Sequence, residues 1–257
     1  METNNLTIII PIRIDSDVRL RNLTAVVMYY KRLKLPLLLI EADECSRIDF
    51  DKSYTQVRHI FISDSNPIFH RTKYINLGLR SITTPHAAII DADVIVPSYQ
   101  LKQANQLLNH TPMILPYDGR FIHMPHSLGD IFRNTASFKD IQTHYESNKT
   151  DYMFGYHSVG GAYLVNVDLY RQCGWENEYF TGWGPEDFER VQRMDILGFP
   201  VTRIRGVIYH LDHPRGINSG NSPYDLAFST RKEYCKVCNM TANELRTYIH
   251  TWPWTYW

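Results

Sequence analysis

Three short stretches of this sequence place acids and imidazoles where they could do chemistry. Ala87 to Pro97 reads AAIIDADVIVP, an apolar run the length of a buried strand with Asp91 and Asp93 at its exit. A carboxylate buried without a partner is costly, so these acids need a cation, a hydrogen-bonded cap or open water. Two residues apart on a continuous strand, they point to the same side. One can then bind a cation directly while the other works through water or a hydroxyl; a solvated strand-to-loop turn is the plainer alternative. His210-Leu211-Asp212-His213 closes the last long apolar run. Imidazole combined with carboxylate oxygen favours Mn²⁺ over Mg²⁺, which prefers oxygen and water. Two histidines in a surface loop would explain the same letters without a metal. Glu186 and Asp187 follow Gly182-Trp183-Gly184-Pro185. At a helix N-terminus the dipole favours ionised carboxylates, so they are either ordinary first-turn acids or a base held rigid beside the Trp183 ring.

The elements that must position these residues follow from periodicity and punctuation. Thr7 to Arg13 (TIIIPIR) reads as a strand ending in a loop, and Asp17 as the cap of a helix over Val18 to Leu33. Strands are expected at Leu37 to Ile40, Val57 to Ile62 and Ala87 to Asp91, with a helix over Tyr74 to Ile82. This alternation indicates an α/β layered domain with a mostly parallel sheet. Ligands on such sheets collect beyond the carboxyl ends of the strands, where both Pro11-Ile12-Arg13 and the DAD fall. Further on come a helix around Gln100 to Leu108 and a strand Met113 to Leu115. Residues 118–156 are polar, His-rich and weakly periodic, and read as an inserted helical or looped region. A strand enters through Gly160-Gly161, Asp168 to Cys173 forms a short helix, and Val201 to His210 forms one long strand. Thr241 with Glu244 three residues on is a capping box for a terminal helix. The chain reads as one domain, with 118–156 inserted between 1–117 and 157–257.

FHRTKYINLG (69–78), the DAD, Gly160-Gly161, GWGPED and HxxH occur in that order. The series resembles the β-1,4-galactosyltransferase-like group of inverting glycosyltransferases with the GT-A fold, and similar modules of bacterial polysaccharide synthases. The likeness covers roughly residues 7–215, apart from 118–156. It implies a Rossmann-like sheet with helices on both faces, a nucleotide-binding half over 1–117, an acceptor and metal half over 157–257, and transfer of a hexose or N-acetylhexosamine, galactose or N-acetylgalactosamine first among them, from a UDP-sugar to a glycan or lipid-linked saccharide. By the same resemblance Asp93, His213, His210 and Asp91 serve an Mn²⁺ ion, with Mg²⁺ as the alternative. Histidine at 210 replaces the methionine ligand of the animal enzymes. Pro11, Ile12, Arg13, Phe69, Arg71, Lys73, Asp91 and Gly161 fall on the donor side. Asp187, with Glu186 beside it, is the implied catalytic base. Trp183, Glu186, Asp187 and Phe188 face the acceptor, Phe188 standing where the animal enzymes carry another acid. One base and no second nucleophilic carboxylate imply inversion at the anomeric carbon.

Composition narrows the alternatives. The 257 residues suffice for one α/β domain, and 27 basic residues against 27 acidic ones give no bulk positive field for nucleic acid. Aromatic residues make up 13%, which suits either ring-stacking surfaces or an aromatic core. The N-terminus lacks a basic region followed by a long apolar one, and no apolar run approaches the ~18 residues of a membrane helix. With four cysteines and no disulfide framework, a cytoplasmic location is expected, with peripheral membrane contact through the aromatic TWPWTYW (251–257) left open. That heptapeptide reads as docking on the domain, as a patch for a lipid-linked acceptor, or as an oligomer contact. Cys235-Lys236-Val237-Cys238 is a lone CxxC, read as one helix face. Two other classes fit some of the same residues: a metal-dependent hydrolase of nucleotide sugars, and a non-catalytic carbohydrate-binding domain.

Overall fold

A computed structural model describes residues 5–50, 55–144, 151–152, 155, 157–220 and 222–256. The most β-prone run forms the centre of the molecule: every residue of β1 (Leu6–Ile12) is buried. A strand covered on both faces reads as a continuous apolar run rather than an alternating one. α1 (Asp17–Arg32) follows, and its cap is Ser16, whose side chain accepts from the Arg19 N–H. The cap expected at Asp17 is therefore displaced by one residue. Serine takes the extended cap conformation and leaves Asp17 in the first turn, favourable to the helix dipole. β2 (Leu37–Asp43), β3 (Val57–Ser63), α2 (Arg71–Ser81) and β4 (His86–Ile90) complete the expected alternation. α2 starts earlier than its apolar periodicity indicates, which puts Arg71 at its first position. A Cβ at Gly78 would lie 2.7 Å from Ile9 Cγ2, so glycine is what lets α2 sit this close to β1.

β4 stops at Ile90, before the DAD. Asp91 to Asp93 form a turn closed by the Val94 N–H to Asp91 carbonyl bond of 3.1 Å, and β5 (Val94–Ile95) continues in another sheet. The two acids therefore do not share a face of one strand. After α3 (Ser98–Leu107) and β6 (Met113–Leu115), the segment read as an insertion supplies β7 (Phe121–His123), α4 (His126–Thr135), α5 (Phe138–His144) and β8 (Asp151–Tyr152). β9 (Ala162–Asn166), α6 (Val167–Gln172) and α7 (Glu186–Ile196) come next. The single strand expected over Val201 to His210 is two, β10 (Thr202–Arg203) and β11 (Ile208–His210). Gly206 breaks it with φ +133, a conformation open to glycine. The break is pinned by Asp118, whose Oδ2 accepts the Gly206 N–H at 3.0 Å. α8 (Tyr224–Cys238) and α9 (Ala242–Ile249) end the fold, the latter with the expected Thr241–Glu244 capping box.

Among the described residues, seven strands form one sheet in the order β10-β6-β9-β4-β1-β2-β3. Its pairs are parallel except where β9 runs antiparallel to β4 and β6. The chain leaves β1 for β2 on one side and returns to β4 on the other, so a topological switch point lies between β1 and β4. Pairing of β1 with β4 ends at Ile9 opposite Ile89, and Pro11, lacking an N–H, lies beyond it. A second sheet, β5-β11-β7-β8, pairs one strand from before and one from after the segment 118–156 with the two strands that segment supplies. Trp252 and Trp254 are buried, and the Trp254 carbonyl accepts from Arg80 at 2.9 Å, so the described part of the aromatic terminus docks on the domain. The CxxC lies within α8 as a helix face, with Cys235 exposed and both thiols free. Among the described residues, no helix is long and apolar enough to cross a membrane.

Candidate active site

A cleft of about 510 Å³ opens at the β1–β4 switch point. Its walls include Pro11, Ile12 and Arg13 from the end of β1, Phe69 and Arg71 from the start of α2, and Asp91 to Asp93 after β4. Gly161, Trp183, Glu186, Asp187, Phe188, His210 and His213 also line it. Of the residues expected there, Lys73 is the exception: it faces a separate depression with Tyr74, Arg80 and Trp254. Two positions along α2 from Arg71, it lies on a different side of the helix.

At one end of the cleft the second sheet gathers a candidate metal site. β5 begins directly after Asp93 and pairs with β11, whose last residue is His210. The Leu211 N–H donates to the Asp93 carbonyl at 2.8 Å, carrying the chain on to His213. One donor atom from each of Asp93, His210 and His213 falls within 4.8 Å of the others. His213 Nε2 is 3.2 Å from Asp93 Oδ2 and His210 Nε2 is 3.7 Å from Asp93 Oδ1. Ligands about 2.1 Å from a common ion stand roughly 3 Å apart, so these spacings fit one. His210 Nδ1 is buried without a hydrogen-bond partner. Burial above all lowers the His210 pKa to about 4, which leaves the imidazole neutral and able to ligate. Burial works against the Asp93 charge, but His210, Arg19 and His213 outweigh it and hold the carboxyl below its ordinary value. Asp91 is not in this cluster. Arg71 donates to its Oδ1 at 2.7 and 3.2 Å, so the second metal-binding acid of the sequence reading is held by a guanidinium.

Asp212, between the two histidines in sequence, points the other way. His126 meets its carboxylate at 2.7 Å and Arg133 bonds the same group. Both belong to α4, so the segment 118–156 clamps the loop that carries His213. Phe121 of β7 stands edge-on to His210 at 5.6 Å and completes that wall.

Asp187, the second residue of α7, is held from two sides. Arg190 Nη1 donates to its Oδ1 at 2.6 Å, and Arg71 Nη1 lies 3.8 Å away. Arg190 is itself buried against Glu176, with bonds of 2.7 to 3.2 Å, and over the Tyr163 ring at 4.0 Å. Tyr163 and Tyr170 each donate to Glu176 Oε1 at 2.6 Å. Burial opposes the Glu176 charge, yet Arg190 and the two phenols bring its pKa down to about 2. A Cβ at Gly160 would collide with Asp187 Oδ2, so the first glycine of the pair makes room for this carboxylate. Glu186 is different: burial first, then the neighbouring Asp187, pushes it up to about 8. Trp183 and Phe188 are 43% and 50% exposed and present open ring faces at the cleft. Arg13 donates to the Ala42 carbonyl at 2.9 Å and lies 5.6 Å over the Phe69 ring. Beyond His213, residues Arg215, Asn218 and Ser222 also line the cleft, where Asn218 Oδ1 accepts the Phe69 N–H at 2.8 Å and Ser222 Oγ donates to the Trp183 carbonyl at 2.8 Å.

Arg19, Arg190, Glu176 and Phe121 were not expected in this site. Only Arg190 had a local signal, an arginine three residues after an acid at a helix start. The others come from elements whose neighbours in space are distant in sequence.

No protein-family model matches the chain, and no curated protein matches its sequence. Solved structures do match. The catalytic domain of Drosophila β1,4-galactosyltransferase 7, in complex with xylobiose, aligns at TM-score 0.55 and 16% identity, over 93% of this chain and 82% of that one. Glucosyl-3-phosphoglycerate synthase from Mycobacterium tuberculosis, with Mn²⁺, UDP and glucosyl-3-phosphoglycerate, aligns at 0.54 and 11% identity, over 91% and 80%. S. aureus TarS 1–349 with UDP-GlcNAc aligns at 0.58 and 9% identity, over 94% and 69%. The chain has the GT-A fold of these glycosyltransferases, a mixed α/β architecture around a mostly parallel sheet.

Proposed function

We propose that this protein is a metal-dependent inverting glycosyltransferase. It moves a hexose or N-acetylhexosamine, galactose or N-acetylgalactosamine first among them, from a UDP-sugar to a hydroxyl of a glycan or lipid-linked saccharide in the cytoplasm. One observation carries the reading: Asp93, His210 and His213 converge in the cleft whose wall also holds Asp187. The structural neighbours support it, since two of them hold UDP or UDP-GlcNAc and one of those also holds Mn²⁺.

Asp93, His210 and His213 would hold Mn²⁺ or Mg²⁺, which when bound supplies a Lewis acid at the departing diphosphate. Phe69, braced by Arg13, offers a flat apolar face for the uracil ring. Burial works against the Arg71 charge, but Asp91 and Asp187 more than restore it and keep the guanidinium cationic. Its Nη1 is buried without a hydrogen-bond partner and is available to donate to leaving-group oxygens. Asp187, oriented through Oδ1 by Arg190, accepts the proton of the acceptor hydroxyl as that oxygen attacks the anomeric carbon. General-base assistance of this kind is worth about 10²–10⁴-fold. With its pKa at about 8, Glu186 is largely neutral at pH 7 and offers no second nucleophilic carboxylate, which favours inversion. Trp183 and Phe188 supply stacking faces for the acceptor sugar.

The test is UDP release from UDP-galactose, UDP-N-acetylgalactosamine and UDP-glucose across a panel of sugar acceptors. Release should depend on acceptor, vanish with EDTA and return with Mn²⁺. Asp187→Asn should lower kcat at least about a hundredfold while UDP still binds. Full release without acceptor would make the protein a hydrolase, and near-normal turnover by Asp187→Asn would remove the base.

A further inference from the structure

Arg19 has no part in the reaction just described, yet it bonds one of the three residues that would hold the ion and lies within bonding distance of a second. Its Nη1 donates to Asp93 Oδ2 at 3.2 Å, its Nη2 lies 3.2 Å from His213 Nδ1, and its Nε donates to Asp15 Oδ1 at 2.9 Å. The side chain is 14% exposed and lines the cleft. A guanidinium in this position does for Asp93 what a bound cation would do.

The His213 ring cannot serve both cations at once. Its Nδ1 also lies 2.7 Å from the Pro214 carbonyl. With the proton on Nε2, that nitrogen donates to Asp93 and Nδ1 accepts from Arg19. With the proton on Nδ1, the ring donates to Pro214 and Nε2 presents a lone pair toward Asp93. Only the second tautomer can ligate an ion through Nε2, and it turns an N–H against Arg19. Ion binding therefore requires the tautomer in which Arg19 and His213 share no bond, and sets a dication beside the carboxylate that Arg19 holds. Asp15 keeps the guanidinium at the cleft by its Nε, leaving the two terminal nitrogens to seek another anion. A diphosphate offers paired oxygens that a guanidinium fork matches.

We propose that Arg19 is a resident cation that holds Asp93 and His213 until a divalent ion arrives, then turns to the donor's diphosphate, so that ion and nucleotide bind cooperatively. The inference rests on reading Asp93, His210 and His213 as the ion site.

Mn²⁺ binding to the full chain, followed by the electron paramagnetic resonance signal of the free ion with and without UDP, tests it. Arg19→Gln should bind Mn²⁺ alone about tenfold more tightly than wild type and gain less from UDP. Arg19→Lys should fall between the two, because an ammonium cannot bond Asp93 and His213 together as the fork does. It also carries the test if the glutamine variant does not fold. Affinity for Mn²⁺ alone that is unchanged or weaker in the folded variant overturns the proposal while leaving the ion site standing. Wild type and Asp93→Asn binding Mn²⁺ equally, with UDP present, would overturn the ion site itself.

Discussion

Two adjacent carboxyl groups, Glu186 and Asp187, end in different surroundings. Asp187 meets Arg190 at 2.6 Å, whereas Glu186 turns inward and accepts the Gly184 N–H at 3.1 Å. Burial and the Asp187 charge lift the Glu186 pKa from 4.5 to about 8. The folded state therefore binds a proton that the unfolded chain releases. This contribution to stability is complete below pH 4.5 and is lost as the pH rises through about 8. Glu186→Gln removes the titration, so its melting temperature should gain on wild type steadily between those limits. Melting curves at intervals from pH 5 to 9 check this, and a constant gap would show that Glu186 is not raised.

At the scale of elements, the start of α7 is placed by a brace that reaches back to the end of α6. Glu176 follows that helix and binds Arg190 of α7, while Tyr163 of β9 and Tyr170 of α6 satisfy its remaining lone pairs. Breaking a buried pair by removing one partner costs about 3–5 kcal/mol, because the other charge stays behind uncompensated. Glu176→Gln should therefore lose stability of that order at neutral pH, read from urea unfolding. The depressed pKa gives this contribution a sign: it is present above pH 4.5 and lost as the pH falls through about 2. The brace also sets where Asp187 points, so turnover should fall with stability in this variant.

Over the whole molecule, the site depends on contacts between segments far apart in the chain. Asp93 lies in the turn between β4 of the first sheet and β5 of the second, His210 ends the neighbouring strand β11 with His213 just beyond it, and α4 clamps their loop through Asp212. The described part of the aromatic terminus packs against α7, outside the cleft. Trp252 is fully buried and Arg193 of α7 lies 5.6 Å over its ring. Large core aromatics cost about 3–5 kcal/mol when cut to alanine. Trp252→Ala should lower the unfolding free energy by that amount in a urea titration, as expected of a docked segment and not of a membrane patch.

The sequence by itself determined the alternation of β1, α1, β2, β3, α2 and β4, because continuous β-branched runs, helical periodicity and turn residues are local signals. It also placed Pro11 to Arg13 and the DAD at strand ends, and GWGPED at a helix start, since those follow from element boundaries. Tertiary structure alone decided which charges meet. Arg71 holds Asp91 apart from the cluster of Asp93, His210 and His213, Lys73 faces away, and Arg19 reaches Asp93 across 74 residues of chain. It also divided Val201 to His210 between two sheets and gave 118–156 two strands of the second sheet and the α4 clamp. The reason is range: hydrophobic periodicity acts over a few residues, whereas a buried charge takes whichever partner the packed elements bring within hydrogen-bond distance.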